Sequence, residues 1–239
     1  MEAPAYPKKF FKQASIEQTD DGWQVLLDGR PARTPARNLL VSPSRNLAEA
    51  MAEEWNALDE DINPYLLPLS QRRMIVVDRG KSDADKWRDI VLEYLGSDLV
   101  CYRADHPSDL VERQEKVWSP FLKWFEEETG TSLAVTSGVM AIAQPEATTN
   151  AVRDSLQPLN ADTLSCLVAA TEITGSAVLA LALWKQRAEP EEIFSASRLD
   201  ETYQAEKWGV DREAQENENR LKSDFLNVAT YLSLCQRSD

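Results

Sequence analysis

The chain has 239 residues and is 43% hydrophobic, with seven Trp, six Phe and six Tyr, so it can bury a sizeable core in one large domain or two smaller ones. Its net charge of -14 argues against nucleic acid or an anionic membrane surface as a partner, because binding to phosphate needs clustered Lys and Arg. The longest apolar run, residues 177–184, is too short to span a bilayer, so no stable membrane insertion is expected.

The first forty residues favour β-structure. Residues 8–17 and 22–28 have the composition of strands, and residues 20–22 between them form a predicted hairpin turn. The pattern therefore predicts a small antiparallel sheet. The remaining parts of this sheet are a second turn at 28–31 and short strands at 31–34 and 38–41.

The period of the apolar residues then changes from that of a sheet to that of a helix. Ser42 followed by Pro43 predicts an N-cap with proline at the first helical position. Residues 59–68 hold two prolines and are expected to form a connector, so we expect domains at residues 1–62 and 63–239. The apolar face of the predicted helix consists of Leu47, Met51, Trp55 and Leu58.

The rest of the chain favours helices. Residues 69–79 are ambiguous between helix and strand, and residues 99–102 and 133–142 are short strand candidates. The expected fold is therefore α+β, with a small N-terminal antiparallel β domain followed by a larger, mainly helical C-terminal domain. Predicted helices end at Gly96 and at Gly130, the latter kinked or restarted at Ser119-Pro120, and others cover 145–158, 161–174, 176–187, 190–208 and 211–235.

Motifs for cofactor, metal or nucleophile chemistry are missing from the sequence. It contains neither a glycine-rich phosphate loop nor a zinc motif, and its single histidine, His106, is expected in an exposed loop. An acidic stretch at residues 59–63 begins like a calcium loop, but Pro64 stands where that loop needs glycine. We expect no cofactor and no metal. The cysteines, Cys101, Cys166 and Cys235, lie far apart and are expected to be buried reduced thiols.

Residues 199–209 are the most informative stretch of the sequence. A helix is expected there, with acids, amides and two large aromatic side chains, followed by glycine. Acidic and aromatic groups together can hold an Arg or Lys of a partner protein by charge and cation–π contact. We therefore assign partner binding to Asp200, Glu201, Tyr203, Gln204 and Trp208.

Two alternatives apply to the same stretch. In the first alternative, Tyr203 and Trp208 are core residues, and the acidic residues are only surface groups. The second is a small-molecule enzyme that uses the carboxylates of Asp200 and Glu201. Adjacent helical residues point about 100° apart, which disfavours their convergence on one substrate.

Two further stretches are distinctive. The turn at 27–35 concentrates turn-forming residues and can present Arg30 and Arg33 to an acidic partner; the alternative is a hairpin tip without a binding role. Gly175 and Ser176 end one helix and cap the next, and residues 177–183 are apolar on all faces. That helix is expected to be buried, with a role in packing alone.

Several segments, in order, resemble the assembly chaperone of the F1 sector of ATP synthase that captures the α subunit. The matching segments run in family order over about residues 8–225. They are residues 8–12 (KKFFK), 26–35, 53–55 (EEW), 94–105 (YLGSDLVCYRAD), 118–121 (WSPF), 174–183 and 199–209, followed by Asp211.

The resemblance implies a chaperone that hydrolyses no ATP, binds unassembled α subunit and hands it to the β subunit. It also implies the two-part fold, and importance for the acidic residue after the leucine, which is Asp200 here. We add Asp211, which follows the motif, to the partner-binding residues. We expect a monomer that is not an enzyme. A third class, a structural adaptor that never leaves its complex, stays open.

The expected location of the protein follows from the start of the sequence. The N-terminal residues lack the pattern of a secretory or organelle targeting segment. This resembles the bacterial branch of the family, for which we expect the cytoplasm, whereas the mitochondrial matrix is expected for eukaryotic relatives.

Overall fold

A computed structural model describes residues 6–138 and 141–236. Its internal contacts divide the chain into two units, the first from Met1–Ala84 and Thr230–Asp239 and the second from Asp85–Ala229. This division differs from the boundary expected between residues 62 and 63, which stays a prediction about independently folding domains. A small antiparallel sheet followed by a mostly helical region confirms the α+β class.

The sheet of the first unit is built around a hairpin. Strands β1 (Ala14–Thr19) and β2 (Gly22–Leu27) pair antiparallel, as predicted, and β3 (Arg30–Pro31) and β4 (Val41–Ser42) both pair with β2. Gly22 has φ 124°, and a side chain there would bring its Cβ within 2.4 Å of the Ser42 carbonyl oxygen. Glycine is therefore required where the hairpin turn passes β4.

Three predicted strands are shorter than expected. Residues 8–13 lie outside β1, and in this part Lys8 forms an isolated bridge with Asp61. Of the strands expected at 31–34 and 38–41, only the outer ends belong to strands, in β3 and β4. Between them, Arg33 forms an isolated bridge with Leu39, and the Leu40 N–H donates to the Ala32 carbonyl at 2.9 Å.

Helix α1 (Arg45–Asn56) packs against this sheet and begins later than predicted. Its N-cap is Ser44, whose side chain accepts a hydrogen bond from the Leu47 N–H at 3.3 Å. The prediction of Ser42 was wrong because Ser42 lies in β4, in extended backbone opposite Trp23. The four predicted face residues are all buried, which confirms the helical spacing: Leu47, Met51, Trp55 and Leu58.

Helix α2 (Pro68–Gly96) resolves the ambiguous residues 69–79 as helix and ends at Gly96 as predicted. The carboxylate of Glu54 accepts hydrogen bonds from the N–H groups of Leu69 and Ser70, at 2.7 and 2.9 Å. Those groups belong to the first helical turn and have no partner within the helix, so Glu54 stabilises its start. The connector before α2 contains one short 3₁₀ turn, Pro64–Leu66.

In the second unit, the predicted strand at 99–102 is mostly a 3₁₀ turn, Leu99–Cys101, which Asp98 caps by accepting from the Val100 N–H at 3.2 Å. Strand β5 (Tyr102–Arg103) follows and pairs in parallel with β6 (Thr136–Ser137). The strand expected at 133–142 is thus confirmed only for β6, and its residues 139–140 lie outside the described residues.

Helix α3 (Ser108–Thr129) passes through Pro120 without restarting at Ser119, and Gly130 ends it with φ 71°. The helix predicted over 190–208 is divided in two at Arg198, which has φ -107° and ψ 18°. The other predicted helices are confirmed with small shifts at their ends. The bounds are α4 (Glu146–Leu156), α5 (Ala161–Thr174), α6 (Ala177–Trp184), α7 (Pro190–Ser197), α8 (Leu199–Trp208) and α9 (Arg212–Gln236).

Helix α6 forms the centre of the second unit. Its residues 177–183 are all buried, as predicted from their apolar character. Ser176 caps the helix, and its hydroxyl donates a hydrogen bond of 2.6 Å to the buried carboxylate of Asp98. Across residues 6–138 and 141–236, none of the helices combines the length and apolar character that a bilayer crossing needs.

Candidate protein-binding surface on helix α8

Helix α8 is fixed to α3 along one side. Leu199 and Tyr203 lie one turn apart and are both buried. Acidic Asp200 and Glu201 occupy the first turn and Lys207 the last, which is the charge order that suits the helix dipole. The sequence therefore forms a short helix here because one apolar turn is buried and both ends carry favourable charges.

Asp200 is held by a buried amide. Its Oδ1 accepts a hydrogen bond of 2.8 Å from Nε2 of Gln114 on α3, and Oε1 of Gln114 accepts from the Ala104 N–H at 2.7 Å. Gln114 is 1% exposed, whereas Asp200 is only half-buried. The carboxylate of Asp200 is thus oriented by the buried Gln114 amide and remains partly exposed to solvent.

Sequence reasoning missed Gln114. The signal was present, because this polar residue occupies the apolar stripe of α3, one turn after Leu110 and one turn before Trp118. A polar side chain at such a position is normally buried with a hydrogen-bond partner, and the partner here is Asp200.

A second link between α8 and α3 involves Asp109. This carboxylate accepts hydrogen bonds from the Tyr203 hydroxyl at 2.8 Å and from Nζ of Lys207 at 3.0 Å. Both bonds favour the ionised form of Asp109 and hold its pKa below the ordinary value. The bond from Tyr203 contributes more than the bond from Lys207. The pKa of Tyr203 is raised, mainly because burial disfavours its charged form and to a smaller extent because Asp109 accepts its hydrogen bond.

Tyr203 is also flanked by cations. Arg113 and Lys207 lie 5.3 and 5.2 Å from its ring centroid. With 4% of its surface exposed, Tyr203 fits the alternative in which it is a core residue. Its assignment to partner binding stays a prediction.

The other side of α8 is open. Trp208 is 77% exposed, so the part of the core alternative that concerned it does not hold, and the neighbouring Val210 is 57% exposed. With Glu201, Gln204 and Asp211 they line a groove of about 620 Å³ between α8 and the start of α9, which we call the α8–α9 groove. The surface combines a large exposed aromatic side chain with a polar, acidic border.

Two of the acidic residues that line the groove, Glu201 and Asp211, also stabilise the fold. Glu201 forms an ion pair with Arg198, at 2.7 Å. Asp211 caps α9, because its Oδ1 accepts from the Glu213 N–H at 2.9 Å and its Oδ2 from the Ala214 N–H at 3.3 Å. Both carboxylates still remain exposed.

The predicted site residues thus fall into three groups. Glu201, Gln204, Trp208 and Asp211 share the α8–α9 groove. Asp200 and Tyr203 contact α3, so Asp200 and Glu201 do not converge as the enzyme alternative requires. Arg30 and Arg33 belong to the first unit, where both are exposed and Arg33 donates to the Arg37 carbonyl at 2.8 Å.

His106 and two of the three cysteines lie where the sequence predicts, the histidine in an exposed loop and the cysteines in the interior. The side chain of His106 is 86% exposed, in a loop beside Asp105. Cys101 and Cys166 are buried, and burial raises the pKa of the Cys101 thiol to about 12, which keeps it protonated and unreactive. Cys235 is only half-buried, against the expectation.

Comparison with known proteins identifies the family. The chain matches the family model described as ATP12 chaperone protein over residues 8–126. Its structure aligns with the crystal structure of Atp12 from Paracoccus denitrificans at a TM-score of 0.91 and 32% identity, covering 96% of this chain and 98% of that one. The chain belongs to the ATP12 chaperone family. This confirms the family resemblance and the chaperone class.

Two further relatives of the ATP12-family chain extend the comparison. A proposed chaperone from Agrobacterium tumefaciens aligns at a TM-score of 0.90 and 36% identity, covering 95% of this chain and 85% of that one. The mitochondrial protein atp12 of Schizosaccharomyces pombe is 22% identical over 240 residues, which cover 95% of this chain and 82% of that protein. Both bacterial and mitochondrial proteins are therefore similar to this chaperone over most of its length.

Proposed function

We propose that this ATP12-family chaperone binds the unassembled F1 α subunit without using ATP and releases it into assembly of the F1 sector of ATP synthase. The observation that carries the proposal is the open side of α8, where Trp208 is exposed among carboxylates. The chaperone acts by reversible contact and catalyses no reaction. It works as a monomer in the bacterial cytoplasm, and its eukaryotic relatives work in the mitochondrial matrix.

The α8–α9 groove has the composition of a protein-binding site. An unassembled subunit exposes apolar interface that aggregates unless it is covered. Trp208 supplies a large apolar side chain, and the carboxylates of Glu201 and Asp211 form the polar rim. A basic side chain of the client would meet both the Trp208 ring and these carboxylates, which gives moderate and reversible affinity.

Asp200 supplies a second contact in this proposal. Gln114 occupies its Oδ1, while its Oδ2 has no hydrogen bond to any residue within 6–138 and 141–236. A half-buried carboxylate that is already oriented loses little entropy when it pairs with an Arg or Lys of the client. Arg30 and Arg33 of the first unit are proposed to contact an acidic part of the same client.

The test measures whether the purified chaperone keeps isolated α subunit from aggregating. Light scattering after dilution of the α subunit should be suppressed at a near-stoichiometric ratio, and added nucleotide should not change the result. Scattering that is unaffected at every ratio, or suppressed only during ATP hydrolysis, contradicts the proposal. So does recovery of the protein as a permanent part of purified ATP synthase, which would identify a structural adaptor.

A matched pair of variants tests whether the open side of α8 is responsible. Trp208 and Tyr65 are both large exposed aromatic residues, at 77% and 83%, in different units. Trp208→Ser should raise the concentration needed for half-maximal suppression about tenfold, the range of a binding hot spot. Tyr65→Ser should change it by less than about twofold. Equal effects would remove the groove from the proposal.

A further inference from the structure

The second unit contains a cavity whose charge is opposite to that of the protein as a whole. The cavity has a volume of about 570 Å³ and lies among α3, α7, α8, α9 and the segment after α6. Two acidic residues, Glu192 and Glu218, also line it. In a chain with a net charge of -14, this excess of cations at one place is unexpected. The cationic residues are Arg113, Lys116, Arg187, Arg198 and Lys222.

Two of these cations already have partners within the fold. Arg113 forms an ion pair with Glu206 at 2.7 Å. Arg198 pairs with Glu201 at 2.7 Å and approaches Glu218 at 3.8 Å. These arginines position α8 against its neighbours, so their charge is largely compensated.

The other three cations are available. Lys116, Arg187 and Lys222 are exposed, and none of them forms an ion pair with a residue in the described part of the chain. We call the site that they surround the basic cavity. Exposed cations that converge from three separate segments favour an anionic ligand, because their mutual repulsion is relieved when it binds.

The floor of the basic cavity is apolar. Phe121, Phe194 and Leu199 line it and are 6, 3 and 8% exposed. Pro120 also lines it and adds the apolar surface of its ring. The cavity therefore offers cations and an apolar surface together.

We propose that the basic cavity binds an acidic peptide segment of the client, in which an aromatic or aliphatic side chain lies between carboxylates. A small inorganic anion would satisfy the cations but leave the apolar floor uncovered, whereas such a segment matches both. This inference rests on the proposed function, since it takes the segment to belong to the bound subunit.

The position of the basic cavity supports a client segment as its occupant. Thr202 and Glu218 line both this cavity and the α8–α9 groove, so the two sites adjoin. A client held by Trp208 would place its adjoining chain next to the cavity. In this acidic chain, an acidic segment is attracted to the basic cavity and repelled by the carboxylates of the neighbouring α8–α9 groove, which favours one orientation of the client there.

The first experiment uses a fluorescein-labelled peptide with a central phenylalanine flanked on each side by two glutamates. Anisotropy should show binding to the full-length chaperone, weakening as salt increases. Replacing the glutamates by glutamine, or the phenylalanine by alanine, should each weaken binding several-fold. The inference is overturned if the uncharged peptide binds equally well, or if adenosine triphosphate binds at this site while the peptide does not.

The second experiment changes the cavity and measures capture of the α subunit. Lys116→Glu combined with Lys222→Glu should weaken peptide binding and capture about tenfold, since two attractions become repulsions. Lys86→Glu combined with Lys123→Glu is the control, because it changes the net charge equally at exposed positions of the same unit outside the cavity. The control should differ from the wild type by less than about twofold.

The outcomes separate this inference from the proposed function. Failure of the wild-type chaperone to capture the α subunit overturns both. Capture that is the same for the wild type and the cavity variant overturns the cavity inference alone. Circular dichroism confirms folding of each variant, and competition between the unlabelled peptide and the α subunit on the wild-type protein tests the cavity without any substitution. Absence of competition also overturns the inference.

Discussion

Two aspartates of the second unit, Asp98 and Asp200, differ in how completely the fold uses their oxygens. Asp98 is fully buried, and it accepts hydrogen bonds from the Ser176 hydroxyl at 2.6 Å and the Val178 N–H at 3.0 Å, besides that of Val100. Asp200 is half-buried and accepts one, from Gln114. A carboxylate whose oxygens are all used by hydrogen bonds within the fold stabilises the fold, whereas a carboxylate that is oriented but keeps one oxygen without a hydrogen bond is available to a partner.

Replacement of Asp98 should give the largest effect. In Asp98→Ala, the buried donors on Ser176, Val178 and Val100 lose their acceptor, and each unsatisfied buried group costs about 1–3 kcal/mol. We expect a loss of roughly 3 kcal/mol or more in the free energy of unfolding, measured by urea denaturation. The control Asp85→Ala removes only an exposed ion pair with Arg88 and should cost at most about 1 kcal/mol.

A small effect of Asp98→Ala on the free energy of unfolding would contradict this distinction between Asp98 and Asp200. It would mean that the donors find other acceptors and that Asp98 is not needed by the fold. Loss of α-subunit capture by a variant that unfolds no more easily than the wild type would have the same meaning, since Asp98 would then act on the client.

The pH dependence of stability should come next. Burial dominates over the hydrogen bonds and raises the pKa of Asp98 from 3.8 to about 6. Between these values the folded state holds a proton that the unfolded state has released, so the stability contribution of Asp98 falls as pH rises from about 4 to about 6. The expected amplitude is up to roughly 3 kcal/mol, at about 1.36 kcal/mol for each pKa unit.

Asp98→Asn provides the reference for this measurement, because an amide has a similar shape and does not titrate. Urea denaturation of both proteins should show the wild type losing up to roughly 3 kcal/mol relative to Asp98→Asn as pH rises from about 4 to about 6. A difference that does not vary with pH would show that the carboxyl group ionises alike in the folded and unfolded states.

Asp200 should behave in the opposite way, with a large effect on binding and a small one on stability. Asp200→Lys places a cation where the client is proposed to bring one, so capture of α subunit should weaken about tenfold, which corresponds to about 1.4 kcal/mol. The melting temperature should fall by at most a few degrees, because the Gln114 amide loses its acceptor in a bond that is only part-buried, which costs about 1 kcal/mol. Binding is measured by titration of the α subunit and melting by circular dichroism.

Asp200→Asn separates the effect of the charge from the effect of the hydrogen bond. It retains an oxygen for Gln114 and removes only the charge, so capture should weaken while melting stays that of the wild type. If Asp200→Lys melts far below the wild type and Asp200→Asn captures normally, the residue supports the fold and makes no contact with the client.

The sequence singles out Asp200 as a candidate, but it does not indicate which residue holds the side chain. The 199–209 stretch stood out by its own composition, and the exposure of Trp208 and the burial of 177–183 follow from local pattern. Gln114 lies 86 residues away from Asp200, and a hydrogen bond over such a separation leaves no local periodicity. The helices and strands that the sequence predicts well are those in which apolar residues recur at a regular spacing over the whole element.

The errors at the ends of elements have a related physical cause. The helix predicted over 190–208 is interrupted at Arg198, whose ion pairs with Glu201 and Glu218 favour a change of direction there. Likewise, Ser42 has the pattern of a helix cap, but pairing with β2 takes it into the sheet. Tertiary contacts decide such boundaries, and no contact of this kind is visible in a short window of sequence.

Asp211 should give the smallest effect and shows both behaviours in one residue, since it caps α9 and is exposed in the α8–α9 groove. Asp211→Ala should lower the free energy of unfolding by about 1 kcal/mol through loss of the cap. Asp211→Asn keeps a capping oxygen, so its melting should match the wild type while capture weakens about twofold through loss of a rim charge. If both variants instead capture the α subunit as well as the wild type and differ only in melting, Asp211 acts through the cap of α9 alone and serves the fold as Asp98 does.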